Sequence, residues 1–599
     1  MSVIARLRHD ANPSHPYLDT PDFAYDQWLG LLGKYELPIG SVSGRPRVAV
    51  IGAGASGLCA AYELQRAGCA VSVFEADMQA GGRCASTPFQ PGEPDLAELG
   101  AMRFPPSEFT LDYYFRHFRL TDENGIAGLP DFPDPGVVPT WVSYGGDNQV
   151  WQPGQPCPAG FEVVANGWDA FNKEGLSSQG GTQLQSPASI TRALQAGDVA
   201  LATRYWQDYL DEFGQISFYS FLYAVFTGHS RFDIPGGKAW SFADFDRFGA
   251  LGLGSGGFGP LYPIGFNDIF RLLPNGLESA QKLFQPGIRQ LPLAFAAALG
   301  EQCDWHYATP IDRIERAGAT FTLHSGSARF TAYDRVIVAT TTRAMEMGCN
   351  LSDERSLLSD EARQAIRRTH IVSSVKVAAR IRKFWRDDPQ AVRCLITDDA
   401  LHQVYTLDYG AADTAVCFLS YTWDDDAVKQ QALGVAQPGG AIDKVALYES
   451  LRAMLMASGS EPLRQWAEHL RPYGNPQQAV LFVEWQSSPY FNGGFKLAQP
   501  GQDPYVQAMF YDFQKAGSPD DTGVYLAGDC ISWTSGWVEG ALQAGLNAAA
   551  GVLYSLGGQL NPDQRGMTPL QINAERFCYF GSGVRVGQAG SRTDCAVTG

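Results

Sequence analysis

RVAVIGAGASGLCAAYELQRAGCAVSVFE, residues 47–75, reads as strand, glycine turn, helix and second strand, and it closes on an acid. Val48, Val50 and Ile51 form an apolar run of the kind buried in a parallel sheet. Gly52, Gly54 and Gly57 then spell G-x-G-x-x-G, residues 58–67 continue at helical period, and 70–74 return to strand. The glycines have separate tasks: Gly52 makes the turn, Gly54 lets backbone N–H groups approach a pyrophosphate, and Gly57 lets helix and strand pack closely. The helix N-terminus turns its positive dipole end to the phosphates. Glu75 stands where a carboxylate accepts from ribose hydroxyls and repels a 2′-phosphate. The glycine pattern alone is weak, but framed by two strands, a helix and an acid it indicates a dinucleotide site in an α/β fold.

Outward from that unit, a chain of 599 residues has material for two or more domains. With 45% hydrophobic and 18% charged residues the composition is that of a globular protein. The formal charge of −18 disfavours nucleic acid or an anionic membrane as partner. No apolar run approaches the length of a spanning helix, and MSVIARLRHDANPSHP lacks the apolar core of a signal peptide, so a cytoplasmic protein is expected. Eleven cysteines without a C-x-x-C pair, and histidines without metal-ligand spacing, indicate neither structural disulfides nor a protein-bound metal.

Residues 1–45 are polar and proline-containing, with an aromatic patch at 17–32, and are expected to form a lead-in on the surface. Gly81-Gly82-Arg83 keeps backbone N–H groups near phosphate and adds a guanidinium. In ELGAMRFP, 98–105, Arg103 lies between apolar residues just before a proline. Such a guanidinium either makes a structural ion pair or grips an anion in a cleft. Residues 108–250 mix helices (199–213, 216–226) with long loops, including the Pro- and Gly-rich 132–160. GLGSGGFGP, 252–260, has no strand–helix frame and reads as a loop passing close to a ligand or another element. A helix at 266–273 and a helical segment ending near 299 follow. Strands are expected at 320–324 and 335–338, flanking a short turn, then at 372–381 around Lys376, 416–423 and 480–485, with a helix at 443–456. GVYLAGD, 523–529, ends on Gly528-Asp529, and 536–553 is a helix rich in small residues. Nucleotide-type elements thus open and close the chain. The expected division is a discontinuous nucleotide domain (46–104, 285–345, 515–560) carrying an inserted α+β cap (105–284, 346–514). The tail after 557 shows no periodicity, and 561–599 is set apart from both domains.

Several dispersed segments, in order from about residue 22 to 560, resemble the flavin-dependent amine oxidases, and within them the amino-acid 2-monooxygenases. They are the glycine motif with its acid, GGR, GAMRFPPS (100–107), FPDPGVVP (132–139), LGLGSGGF (251–258), LSYTWDD (419–425), the late Gly-Asp and GWVEGA (536–541). The resemblance implies a Rossmann-like domain holding non-covalent FAD beside a cap that binds substrate. Gly52, Gly54, Ala55, Ser56, Gly57, Glu75 and Ala76 would hold the ADP half. Gly82 and Arg83 would sit by the pyrophosphate, and Gly528 and Asp529 by the ribityl chain. Gly100, Ala101, Met102, Arg103, Gly536, Trp537 and Val538 complete the implied cofactor contacts. Arg103 matches the arginine that pairs with the substrate α-carboxylate, and Tyr421 a tyrosine that helps hold it. The Gly536 carbonyl would accept from the α-amine, with Trp537 beside the flavin. Trp485 would pack on the substrate side chain, and Phe258 would line its pocket. Lys376 matches a lysine that reaches flavin N5 through a water. Relatives usually carry S-S-K; here it is Ser373-Ser374-Val375-Lys376 with a shorter run to Phe384, and counting from His370 keeps Lys376 in register.

The implied reaction takes the Cα hydrogen of an L-amino acid as hydride to flavin N5, with O2 as second substrate. A monooxygenase yields the amide shortened by one carbon (indole-3-acetamide from L-tryptophan); an oxidase releases 2-oxo acid, ammonia and H2O2. The residues leave both outcomes open, and a homodimer is the candidate assembly. The lysine-specific relative carries acids after its glycine loop, whereas residues 257–262, GFGPLY, carry none. A lysine substrate is disfavoured on that ground, and an aromatic amino acid, tryptophan before phenylalanine, is expected.

Overall fold

The computed structural model describes residues 25–562 apart from 179–180, 182–183, 197, 254–256, 350, 352–356, 389 and 435–439, together with 566 and 568–570. Residues 1–24 of the lead-in, the middle of the second glycine run and most of the tail lie outside the described residues.

A five-stranded parallel sheet carries the nucleotide motif. Its order is Val524–Leu526, Arg335–Val338, Arg47–Ile51, Ala70–Phe74, Asp304–His306. The strand Arg47–Ile51 is central because both its faces are covered: Val48, Ala49 and Val50 have no exposed surface. From it the chain passes through the helix Ala55–Arg66 to one neighbouring strand, while the other neighbour comes from much later in sequence. Gly52 therefore sits at a topological switch point, where open α/β sheets place their ligand crevice. The helix Val538–Ser555 is buried from Val538 to Leu553 and is apolar or small apart from Glu539, Gln543 and Asn547. Its small residues let it lie on Ala55–Arg66, since a Cβ on Gly545 would come 2.4 Å from the Ser56 carbonyl oxygen.

The second body is a seven-stranded sheet ordered Val480–Glu484, Ser374–Arg382, Thr414–Trp423, Gln403–Leu407, Cys394–Thr397, Thr140–Tyr144, Asp147–Trp151. Helices including Glu162–Glu174, Val199–Phe213, Phe218–Phe226 and Phe242–Leu251 surround an aromatic core built on Phe171, Phe221 and Phe266. The architecture is the expected one, a Rossmann-like α/β sheet assembled from separated segments with an α+β body between them. Among the described residues no helix is long and apolar enough to cross a membrane.

Four sequence expectations are corrected. Residues 25–45 are not a surface lead-in: the helix Tyr25–Lys34 puts Tyr25, Trp28, Leu29 and Leu32 on one buried face, and Gly40–Ser41 pairs with Gln559–Leu560. Those positions are spaced i, i+3, i+4, i+7, an amphipathic signal masked by surrounding polar residues. The same pairing gives structure to the start of the tail. The Pro- and Gly-rich 132–160 contains the hairpin Thr140–Tyr144 with Asp147–Trp151, turned by Gly145-Gly146. Between Thr320–Ser325 and Arg335–Val338 lies a further strand, Ala328–Tyr333, whose alternation is mostly solvent-facing and therefore weak in sequence.

Candidate functional site

A cleft of about 1400 Å³, counted with its open mouth, runs from the carboxyl ends of the central parallel strands to the start of Val538–Ser555. At its first end it is lined by Gly52, Gly54, Ala55, Ser56, Glu75 and Ala76, then by Gly82 and Arg83. Further along come Gly100, Ala101, Lys376, Tyr421 and Trp485, with Gly528, Asp529, Gly536, Trp537 and Val538 opposite. Four expected site residues are absent from this lining. Gly57 has a packing role, because a Cβ there would lie 2.0 Å from the Gly52 carbonyl oxygen and 3.1 Å from Ala339 Cβ. Met102, Arg103 and Phe258 line a second chamber of about 820 Å³, and the two spaces share Gly100, Ala101, Tyr421, Phe495 and Gly536 to Val538.

The first end has the chemistry of a dinucleotide cradle. The helix Ala55–Arg66 has no side-chain cap and no acid in its first turn, so its terminal N–H groups remain available to an anion. Ser56 Oγ is buried without a hydrogen-bond partner and belongs to the same wall. The Glu75 carboxylate accepts from Ala53 N at 2.7 Å and Asp77 N at 2.9 Å, which aims it along the cleft. Burial pushes its carboxyl up, and those amides pull it back. Arg83 and Asp529 both line the cleft and pair with each other; Arg83 also donates to the Gly494 carbonyl. These residues fit the ADP and pyrophosphate portions of FAD. Gly57→Ala should expel them from register: overpacking costs about 1–3 kcal/mol, and the purified variant is expected to lack bound flavin. A full flavin-to-protein absorbance ratio would refute the close-packing role.

The middle of the cleft is organised by three consecutive carbonyls. Lys376, 1% exposed, donates from Nζ to the Glu98 oxygen at 2.9 Å and to the Gly100 oxygen. Trp485 Nε1 donates to the intervening Leu99 oxygen at 3.0 Å. Two buried donors from the antiparallel sheet and its margin thus clamp residues 98–100 and set the direction in which 101–103 leave. Strand register places Lys376 opposite Tyr421, with Nζ 4.3 Å from that ring's centroid. Burial presses the Lys376 ammonium down to about 7, Glu98 opposing and Arg103 assisting. Burial likewise pushes the Glu98 carboxyl up to about 7 despite bonds from Ser86 and Ile288. Trp485 lies on the first cleft and is absent from the second chamber's lining, whereas the resemblance set it on the substrate side chain; its indole N–H, tied to Leu99, holds it there.

The second chamber is apolar, with Met102, Phe258, Leu261, Ile269, Leu272 and Leu497 in its wall, and among the described residues its only charged lining residues are Arg103 and Glu278. Arg103 donates from Nε to Asp134 Oδ1 at 3.0 Å and packs against the edge-to-face pair of Phe132 and Tyr405, 4.6 and 4.7 Å from their centroids. Among the described residues its Nη2 is buried without a hydrogen-bond partner. Desolvation opposes this charge, but Tyr405, Asp134 and Glu278 outweigh it and the guanidinium stays ionised. Burial pushes the Asp134 carboxyl up to about 7 against the pull of Arg103, with Glu278 adding to the rise. Such a chamber suits a mostly apolar molecule bearing one carboxylate, its far end at the start of the Val538–Ser555 helix.

Sequence reading missed Glu278, Asp134, Phe132, Tyr405 and Phe495 as site residues. Asp134 and Phe132 stand in the FPDPG segment, quoted for the resemblance without a task. Glu278 arrives from a turn far from the glycine run, so the absence of acids at 257–262 does not mean an acid-free chamber, and that argument against a lysine substrate fails. Tyr405 and Phe495 had no local signal.

The sequence profile of the family described as "Flavin containing amine oxidoreductase" matches residues 55–553. The chain is 39% identical over 563 residues to a tryptophan 2-monooxygenase of Pseudomonas savastanoi, covering 90% of this chain and 96% of that one. It is 35% identical to a tryptophan 2-monooxygenase of Rhizobium radiobacter, covering 89% and 68%. Among solved structures, cyclohexylamine oxidase from Brevibacterium oxydans IH-35A superposes with a TM-score of 0.57 at 17% identity, over 85% of this chain and 98% of that one, a likeness of fold. With the dinucleotide cradle, the two-body architecture and this match over most of its length, the chain belongs to the flavin-containing amine oxidoreductase family.

Proposed function

We propose that this protein is an FAD-dependent amino-acid 2-monooxygenase converting L-tryptophan and O2 into indole-3-acetamide, CO2 and water. The observation that carries the reading is the apolar chamber whose buried guanidinium, with one bare nitrogen, opens onto the flavin cleft at Gly536 to Val538. The similarity to tryptophan 2-monooxygenases over nearly the whole chain supports the choice of amino acid. FAD supplies the redox chemistry when bound; this chain's residues bind and orient. On this reading Arg103 holds the α-carboxylate by charge-assisted hydrogen bonds, assisted by Tyr421. The Gly536 carbonyl receives the α-amine, and Trp537 and Phe258 border the substrate. The indole lies among Phe258, Leu261, Ile269 and Leu497, and dry walls keep bulk water away from Cα. Lys376 places a proton donor at the wall shared by 98–100 and Tyr421. The same reading assigns 46–104, 285–345 and 515–560 to the FAD domain and 105–284 and 346–514 to the substrate domain.

Anaerobic L-tryptophan is expected to bleach the yellow enzyme, and aerobic turnover to give indole-3-acetamide by mass spectrometry. Indole-3-pyruvate with peroxide would instead establish an oxidase. No bleaching with any amino acid would overturn the proposal.

A further inference from the structure

We propose that Asp134 is the positioning residue of Arg103, holding the guanidinium by its Nε edge so that only its Nη end meets the substrate carboxylate. The inference rests on the reading of Arg103 given above and assigns a task to the FPDPG segment. Three contacts restrict the guanidinium. Asp134 Oδ1 accepts a hydrogen bond from Nε at 3.0 Å, the Phe132 ring lies 4.6 Å away, and Tyr405 contributes its ring at 4.7 Å and a hydrogen bond. Rotation about the terminal bonds would break the first and lose both stacking contacts. Asp134 does not bind Nη2, which stays buried and bare. The Nε edge is thus occupied, and an arriving carboxylate finds Nη2 bare in a preset plane.

The loop bearing Asp134 is itself held. Phe132 N donates to the Gln281 oxygen at 2.8 Å, Val137 N to the Asp134 oxygen at 3.0 Å, and Gly136 N to Thr140 Oγ1 at 3.1 Å. Gly136 turns at φ +78°, where a Cβ would lie 2.6 Å from the Trp151 ring. Asp134 is 4% exposed, so its bond to Arg103 is shielded from bulk solvent. A rigid loop anchored to the hairpin therefore transmits its position to the guanidinium, the arrangement expected of groups that support a preorganised binding site.

The test uses holoenzyme and two probes that cannot be oxidised at Cα: indole-3-propionate, which carries the carboxylate, and its neutral amide. Dissociation constants come from perturbation of the flavin spectrum, and steady-state KM and kcat with L-tryptophan accompany them. Asp134→Ala should weaken indole-3-propionate by about tenfold or more, while moving the amide less than about threefold, because one charge-assisted contact is degraded and nothing else. KM for L-tryptophan should rise in parallel with a smaller change in kcat. Asp134→Asn keeps an acceptor for the Nε proton and should rescue propionate binding to within about threefold of the parent. Should Asp134→Ala fail to fold, Tyr405→Leu removes one stacking contact and should show the same carboxylate-selective loss. Equal loss of both probes, or no loss of either, overturns the inference. A parent enzyme that does not distinguish propionate from amide would overturn the role of Arg103 itself, a separate outcome.

Discussion

Arg103→Ala is expected to raise KM for L-tryptophan by about 10- to 100-fold, the loss of charge-assisted hydrogen bonds worth roughly 1.5–3 kcal/mol. The effect is large because the chamber offers no substitute. Among the described residues its other charged lining residue is Glu278, which repels a carboxylate, and the remaining wall is mostly apolar. Removing the guanidinium also leaves Asp134 buried beside Glu278, so that carboxyl moves still further up and becomes protonated near neutrality. Arg103→Lys restores charge but not a planar fork packed against Phe132 and Tyr405, and should recover only part of the loss. Tryptamine, which has no carboxylate, should show little difference between parent and variant. An unchanged KM for L-tryptophan would remove Arg103 from the substrate site.

Lys376→Met is the second large effect. Reoxidation of the reduced enzyme by O2 is expected to slow by about 10²-fold, the scale of losing one preorganised donor from a dry site, while the bound FAD content stays at the parental level. The sign of its pH dependence follows from burial. An ammonium pressed from 10.5 to about 7 is charged below that value and neutral above it. Whatever it contributes to stabilising negative charge in the cleft is therefore present below about pH 7 and fades above it. The parental reoxidation rate should fall as pH rises through 7, and the variant's should be flat. Stability runs the other way. Between about 7 and 10.5 the unfolded chain binds a proton at this lysine that the folded chain does not, so the cost of burying it diminishes as pH rises. Below pH 7 the methionine variant should consequently melt no lower than the parent. Stopped-flow reoxidation across pH decides the matter, and an apoprotein would mean that the clamp on residues 98–100, not proton donation, is the main task of Lys376.

The nucleotide unit was legible from the chain because its chemistry is local. Turn, helix start and acid lie within 29 residues at 47–75, and each carries its own residue signature. The observed Arg47–Ile51, Ala55–Arg66 and Ala70–Phe74 follow those signatures closely. The amphipathic helices at 199–213 and 443–456 were readable because their apolar residues recur at helical spacing. The hairpin at 140–151 was not, since prolines and glycines before it outweigh a short alternation, and its strands are set by pairing with Cys394–Thr397. The helix Tyr25–Lys34 was overlooked because its four buried residues are a minority in a polar segment. For the site, Arg103 and Lys376 drew attention as charges among apolar neighbours, and the structure brings Lys376 to the first cleft and Arg103 to the adjoining chamber. Trp485 was visible as a residue but not as a clamp on Leu99, because its partner lies 386 positions away.

Local sequence was sufficient to specify the dinucleotide cradle and the parallel sheet around it, because hydrogen-bonding geometry within a strand–turn–helix depends on near neighbours. The surroundings of the guanidinium needed the folded chain. Residues 103, 132, 134, 278 and 405 come from segments that no periodicity relates, and they meet only when the seven-stranded sheet packs against the nucleotide domain. Burial there converts an ordinary arginine into a fixed one, and an ordinary lysine at 376 into one that titrates near neutrality, since removing water raises the cost of charge and the strength of every remaining contact.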